Sequence, residues 1–187
     1  MSTDYNLTSS DELTTLITNK NIFTWSALTN YIKQLPYGRN KNRTDLSLVI
    51  IENKGSCSSK HALLKQIADL NNIPNVSLIL GIYKMSSFNT PKIKNTLTKN
   101  FLDYIPEAHC YLKIGDERVD FTTITSSFLT IKKDVIQEEE ITPDQVSTYK
   151  VSYHKQFLKQ WLSKKHINFS FDELWEIREQ CIHNLSK

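Results

Sequence analysis

Apolar residues near the start of the chain recur at the spacing of an α-helix. Asp11 and Glu12 mark one helix start, and Thr24 is suited to cap a second helix because its hydroxyl can accept from a free backbone N–H. Pro36 cannot continue that second helix. The pattern predicts N-terminal helices over about residues 11–36, the second with an apolar face made of Trp25, Leu28, Tyr31, Ile32 and Leu35.

The next segments alternate between helical and extended patterns. Residues 46–51 are an apolar run that fits either an extended segment or a short helix. Ser56 can cap a helix that runs from Cys57 to about Asn71, and residues 76–83 predict a buried strand. Residues 86–100 are polar and rich in lysine, threonine and asparagine, which predicts a loop or an irregular helix.

A β-hairpin is predicted by two strand patterns, residues 109–114 and 117–122, that are separated by Gly115 and Asp116. Glycine followed by aspartate suits a two-residue turn. With that turn Ile114 pairs with Glu117, and the register along the two strands follows from this pair.

The last part of the chain predicts a strand, a charged connector and two helices. Residues 128–131 fit a further strand, and the charged run over 132–140 predicts a solvated surface segment. Thr142 precedes a proline and a glutamine, which together form a capping signature. Amphipathic helices are predicted over about 143–165 and 171–185.

These elements predict an α+β fold in which a cysteine-bearing helix packs on an antiparallel sheet, with flanking helices at both ends. At 187 residues the chain fits one domain, 1–187. Its core would span about residues 46–131, with N-terminal helices over about 11–36 and C-terminal helices over about 143–185.

Composition excludes several classes of protein. The net charge of +3 is too small to indicate a nucleic-acid partner. Three irregularly spaced cysteines do not make a disulfide framework, so we expect a reducing, cytoplasmic location. The N-terminus lacks the pattern of a signal peptide, and no apolar run is long enough to cross a membrane. We expect no cofactor, and the composition leaves the oligomeric state open.

Candidate chemistry begins at Cys57, which follows Gly55 and Ser56 at a predicted helix start. The positive end of the helix dipole stabilises a thiolate there and lowers the pKa of the thiol. Gly55 would let the backbone approach a substrate closely, and free backbone N–H groups near Cys57 could form half of an oxyanion hole. The alternative is a buried structural cysteine.

The hairpin supplies an imidazole and a carboxylate. Side chains alternate along a strand, so His109 and Tyr111 share a face and Cys110 points to the other. Because Tyr111 would pair with Asp120, His109 and Asp120 are diagonal neighbours within reach of a hydrogen bond. His109 as a core histidine and Asp120 as a turn carboxylate are the alternatives.

The chain resembles the transglutaminase-like superfamily over about residues 46–125. Three features carry the resemblance, in this chain order: Gly55-Ser56-Cys57, a strand beginning at His109, and Asp120-Phe121-Thr122. The resemblance implies a papain-like core with Cys57, His109 and Asp120 as a catalytic triad. Its members include transglutaminases, peptide amidases, microbial cysteine proteases and members without known activity. Two positions depart from the family pattern: Tyr111 replaces a common tryptophan, and Phe121 replaces a proline.

The resemblance also implies an oxyanion donor upstream of the cysteine. The candidates lie at the end of the second helix or in the loop after it: Gln34, Tyr37 and Asn40, together with Arg39. The alternative is that Tyr37 belongs to a plain turn with solvated polar neighbours.

His61 lies one helical turn after Cys57, on the same side of the helix, and we favour a buried core role for it. Its alternative is metal binding, since Cys57, His61, His109 and Asp120 could form a zinc tetrad.

Three functions are compatible with these residues. The first is a cysteine-dependent amide or peptide hydrolase, or a transglutaminase-type transferase, that acts through a thioester on Cys57. Its substrate would be a peptide or an amide-containing small molecule. The second is a non-catalytic binding module that keeps only the family's fold. The third is a metal-binding protein that uses Cys57 and His61.

Overall fold

The computed structural model describes residues 4–165 and 168–185 and shows an α+β fold. Four strands form one antiparallel sheet: β1 Val76–Ser86, β2 Tyr104–Ile114, β3 Glu117–Val119 and β4 Val135–Ile141. The strand order across the sheet is β3-β2-β1-β4. The described residues also contain seven α-helices: α1 Glu12–Thr18, α2 Trp25–Gln34, α3 Leu48–Ile51, α4 Cys57–Leu70, α5 Lys94–Lys99, α6 Thr148–Lys165 and α7 Phe171–Leu185.

Side-chain caps begin the first helices where the sequence predicts them. The Asp11 carboxylate accepts from the Thr14 N–H, and the Thr24 hydroxyl accepts from the Ala27 N–H. At the start of α4, Ser56 and Ser59 cap each other's backbone N–H groups. Each cap satisfies donors that a helix N-terminus leaves free. The predicted starts of α1, α2 and α4 are confirmed.

The sheet carries one apolar cluster on each face because its side chains alternate with a period of two. Leu78, Leu80 and Ile82 of β1 pack with the cluster that includes α1 to α4. Tyr83 and Met85 belong to the other cluster, with residues of α5, α6 and α7. The C-terminal helices are therefore packed on the sheet, as the apolar stripes predict.

The hairpin has the predicted turn. Gly115 adopts a φ of +59°, a conformation that suits glycine, and Ile114 pairs with Glu117. However, β3 pairs only with residues 112–114 of β2. The preceding part of β2 pairs with β1 along one edge, and no described strand pairs with its other edge.

Helix α6 covers part of this open edge. The buried His154 forms a hydrogen bond of 2.9 Å from Nε2 to the carbonyl oxygen of Pro106. Proline fits this position because its nitrogen, which has no hydrogen to donate, lies on the edge away from β1. The neighbouring Glu107 is buried and accepts hydrogen bonds from Arg178 of α7.

Two segments after the hairpin differ from the sequence predictions. The strand predicted over 128–131 is wrong: Phe128–Thr130 is a 3₁₀ turn, in which Phe128 is buried against Tyr111 with ring centroids 4.8 Å apart. The charged run is mostly exposed, as predicted, but most of it forms β4 at the sheet edge. Its carboxylates can occupy a strand because an edge strand leaves one side in water.

Two ambiguous segments are helical. The apolar run before Cys57 forms α3, and the polar segment after β1 contains a 3₁₀ turn, Pro91–Ile93, followed by α5. The predicted helix over 143–165 is divided into a 3₁₀ turn, Pro143–Val146, and α6. None of the helices in the described ranges combines the length and the apolar character needed to cross a bilayer.

We predict that fragment 1–142 does not fold independently. Without α6 and α7 the fragment exposes the apolar face of the sheet that these helices cover, and Glu107 loses its ion pair with Arg178. Expression of this fragment should give insoluble protein, or soluble protein without a cooperative thermal transition. A cooperatively folding fragment would contradict the packing described for these helices.

We also predict that Arg178→Met lowers the free energy of unfolding by about 3–5 kcal/mol, because it leaves the buried Glu107 carboxylate unpaired. The matched control is Arg118→Met, which removes the more exposed ion pair with Glu138 and should cost about 1 kcal/mol or less. Urea denaturation measures both values. Equal effects for the two variants would contradict the prediction.

Candidate active site

Cys57 is the first residue of α4, and its side chain is buried. Ser56 caps the helix through the backbone N–H of Ser59, and Lys60 N–H bonds to the Ser56 carbonyl oxygen. The N–H groups of Cys57 and Ser58 belong to the first turn, where the helix itself offers no acceptor. Both N–H groups can therefore donate to an oxygen atom that lies beside the sulfur.

Packing around Gly55 leaves no room for a larger side chain. A Cβ at this position would lie 2.8 Å from Cγ of Lys60 and 3.0 Å from Oγ of Ser59. The Lys60 ammonium is buried and donates to the carbonyl oxygens of Leu35 and Thr122, at 2.5 and 2.6 Å. Lys60 thus joins the end of α2 to the segment after Asp120.

His109 and Asp120 form the predicted contact. Nε2 of His109 lies 2.8 Å from Oδ2 of Asp120. The other carboxylate oxygen, Oδ1, accepts from the backbone N–H of Thr122 at 2.8 Å and from its hydroxyl at 2.5 Å. Burial alone would raise the pKa of Asp120, but the charge of His109 and these hydrogen bonds lower it well below its usual range. Asp120 is thus a fixed carboxylate that orients the imidazole.

The Cys57 thiol and the His109 imidazole line the same cavity and affect each other's pKa. Burial raises the pKa of Cys57, but the positive charges of Lys150 and His109 outweigh burial and lower the pKa to about 6. Burial lowers the pKa of His109, whereas Asp120 and Cys57 raise it well above its usual value. At neutral pH the pair is therefore a thiolate beside an imidazolium. Since Nε2 of His109 bonds to Asp120, Nδ1 is the ring nitrogen left for Cys57.

Lys150 was missed by sequence reasoning. It lies in the first turn of α6, is 9% exposed, and places Nζ 3.9 Å from the Cys57 sulfur and 2.6 Å from Oγ of Ser58. A signal was present in the sequence. Lys150 stands four and eight residues before the buried His154 and Leu158, so it occupies the buried stripe of an amphipathic helix. A lysine on that stripe needs an anionic or polar partner.

His61 has the buried core role that we favoured. Its Nδ1 donates to the Cys57 carbonyl oxygen at 2.7 Å, and its Nε2 accepts from the Phe121 N–H at 2.8 Å. Burial lowers the pKa of His61 to about 4, so the ring is neutral at physiological pH. Phe121 stands where the resembled family has proline, and a proline there could not donate this hydrogen bond.

The two hydrogen bonds of His61 also affect whether it can be a ligand in a zinc tetrad. Both ring nitrogens of His61 are already used, so metal ligation by His61 would require breaking one of the two hydrogen bonds. Across residues 4–165 and 168–185, no group of three or more histidine, cysteine, aspartate or glutamate residues is arranged to hold a metal ion.

The three oxyanion candidates have different environments. Gln34 is exposed and does not line either of the cavities that contain Cys57. Asn40 directs its amide nitrogen to Glu52 and to the carbonyl oxygens of Leu48 and Lys54, at 3.0–3.1 Å, so its donors are used within the loop. Arg39, named with these three, is bound to Glu179. Tyr37 lines both cavities with Cys57 and is the remaining candidate.

Backbone pairing brings Tyr37 to this position. Gly55 N–H donates to the Pro36 carbonyl oxygen, and Gly38 N–H donates to the Gly55 carbonyl oxygen, both at 3.2 Å. Burial, followed by the negative charge of Cys57, raises the pKa of the Tyr37 phenol well above its usual value. Its O–H therefore remains a hydrogen-bond donor at neutral pH.

Tyr111 and Cys110 point to opposite faces of β2, as predicted. Tyr111 is fully buried beside His109, with ring centroids 6.0 Å apart, and its hydroxyl donates to Glu138 at 2.6 Å. Gly81 pairs with His109 and is diagonal to Tyr111, and a Cβ on Gly81 would lie 2.6 Å from that hydroxyl oxygen, so glycine is needed there. Cys110 lies in the other core cluster, and burial raises the pKa of its thiol.

The thiol lies between two cavities. The large cavity has a volume of about 610 Å³, a size typical of small-molecule sites. It contains His109 and Asp120 and is lined on one side by hydroxyl groups from Thr122, Thr123, Thr125, Ser126, Ser127 and Thr130. The small cavity has a volume of about 80 Å³ and lies on the Lys150 side of Cys57.

Comparisons with family models, with curated proteins and with solved structures gave no match to this chain.

Proposed function

We propose that this protein is a cysteine-dependent acyl-transfer enzyme of the transglutaminase-like type. Cys57 would be the nucleophile, His109 the general base and then the general acid, and Asp120 the residue that orients His109. The observation that carries the proposal is that a buried thiol of low pKa lines the same cavity as an imidazole that is bonded to an anchored carboxylate. A structural cysteine would need neither the partner lysine nor the oriented imidazole.

In the acylation step the Cys57 thiolate attacks the carbonyl carbon of an amide and the C=O electrons move to the oxygen. The backbone N–H groups of Cys57 and Ser58, which have no acceptor within the helix, would donate to this oxyanion, and the Tyr37 hydroxyl would be a further donor. The His109 imidazolium then gives its proton to the leaving nitrogen. The C–N bond breaks, the amine departs, and the acyl group remains on Cys57 as a thioester.

In the deacylation step the now neutral His109 removes a proton from water or from an acceptor amine. That nucleophile attacks the thioester carbonyl carbon, and the C–S bond breaks to return the Cys57 thiolate. Asp120 keeps the same hydrogen bond to Nε2 throughout, which stabilises the imidazolium each time it forms. The size of the large cavity and its hydroxyl-bearing wall favour a peptide or an amide-containing small molecule as the acyl donor.

We predict that alkylation of Cys57 by iodoacetamide follows a titration with a midpoint near pH 6, because the thiolate is the reactive form and the pKa of Cys57 is lowered to about 6. An ordinary thiol would titrate near pH 8.5. Lys150→Met should move the midpoint upward, because it removes a positive charge that stabilises the thiolate. The matched control is Lys159→Met, on the same helix but outside both cavities, which should leave the midpoint unchanged. Peptide mapping identifies the alkylated residue.

A midpoint near that of an ordinary thiol, or faster labelling of Cys110 or Cys181, would contradict the nucleophile assignment.

We predict that p-nitrophenyl acetate acetylates Cys57 and is then turned over. Stopped-flow release of p-nitrophenol should show a burst, and intact mass should show one acetyl group that Cys57→Ala abolishes. His109→Ala should lower the deacylation rate by about 10²–10⁴-fold, because it removes the group that activates water. Asp120→Asn should also slow the reaction, whereas Asp116→Asn, in the hairpin turn, should have no effect.

Acetylation of Cys57 at the rate of a free model thiol, without turnover, would contradict catalysis and would favour a binding module that keeps only the arrangement of residues.

A further inference from the structure

The small cavity differs from the large cavity in its charge. Four cationic side chains line it, those of Arg39, Arg43, Lys150 and Arg178, together with only two carboxylates. A histidine, His154, also lines it, but burial lowers the pKa of His154, so this side chain adds no charge at neutral pH. The small cavity is therefore positively charged beside the nucleophile.

Both carboxylates are already paired. Glu107 is bound by Arg178, and Glu179 is bound by Arg178 and by Arg39 at 2.6 and 2.9 Å. Arg43, by contrast, has no carboxylate within ion-pair distance in the part of the chain that the structure describes. The Cys57 thiolate is the counter-ion of Lys150 in the free protein, so the cations available to a ligand are Arg43 and, as the sulfur loses its charge on acylation or alkylation, Lys150.

Lys150 is positioned to contact a ligand that lies next to the Cys57 sulfur. It is nine-tenths buried, and its ammonium lies between the hydroxyl of Ser58 and the sulfur of Cys57. A partly buried cation is less screened by salt than a surface lysine, so it distinguishes ligands by charge more strongly.

We propose that the small cavity binds a carboxylate of the substrate, so that the preferred acyl substrates carry a negative charge within a few bonds of the carbonyl carbon that Cys57 attacks. The inference rests on the proposed function, since it assigns the substrate of the same thiol. The cavity has room for a carboxylate with a few water molecules, but not for a large side chain. A cationic amine, such as a lysine side chain, is disfavoured in the same place.

A pair of alkylating reagents tests this inference directly. Iodoacetate and iodoacetamide place a carboxylate and a neutral amide, respectively, next to the same reactive carbon. Both react with the Cys57 thiolate, so the ratio of their rate constants does not depend on the pKa of the thiol. The reference is the same ratio for a small neutral thiol, N-acetylcysteine amide, in the same buffer of low ionic strength.

We expect the iodoacetate-to-iodoacetamide ratio at Cys57 to exceed the reference by about tenfold, in keeping with one partly buried charge interaction. Lys150→Met should lower the ratio toward the reference, and Arg43→Gln, at an exposed position, should lower it without affecting folding. Lys159→Met is the matched control and should leave the ratio unchanged. Added salt should reduce the ratio.

The outcomes separate the two proposals. A ratio equal to the reference, or one that neither Lys150→Met nor Arg43→Gln changes, would overturn the carboxylate site while leaving the nucleophile in place. Failure of both reagents to label Cys57 in the folded protein would overturn the proposed function, and the substrate assignment with it.

Discussion

The site depends on the shortness of β3. Because β3 ends at Val119 after three residues, the backbone of β2 before Leu112 has one edge without a strand partner. A strand edge without a neighbouring strand is unfavourable when it is buried, since each of its N–H and C=O groups then needs another acceptor or donor. Two helices pack on β2: α4, which begins at Cys57, and α6, which brings His154 to the Pro106 carbonyl oxygen.

Charge compensation is the second constraint on this edge. A buried thiolate is costly unless cations accompany it, and Lys150 and His109 provide them. Their positive charge is balanced in turn by Asp120, which is itself held by Thr122. The buried pair of Glu107 and Arg178 follows the same rule a short distance away, where α7 meets the sheet. The C-terminal helices thus contribute charge to the site as well as apolar surface.

The sequence supports the local parts of this arrangement well. The caps at Asp11, Thr24 and Ser56 and the turn at Gly115 are determined by residues close to them in the chain, and they are present as predicted. His109 and Asp120 are in contact as predicted, but the strand predicted over 117–122 ends at Val119, so Asp120 is held by Thr122 rather than by pairing with Tyr111. The strand predicted at Phe128 failed because a short apolar run carries no periodicity to distinguish a strand from a single turn.

Local patterns therefore determined the starts of α1, α2 and α4, the hairpin turn and the place of Cys57 at a helix start, since capping and turn geometry act over a few residues. Tertiary structure decided the rest. Lys150 lies 93 positions from Cys57 in the chain, and only the crossing of α6 over the edge of β2 brings the two together. The same holds for the bond from Phe121 to His61 and for the position of Tyr37 beside Gly55. These contacts depend on how the elements pack, and residue type and spacing along one segment carry no information about that packing.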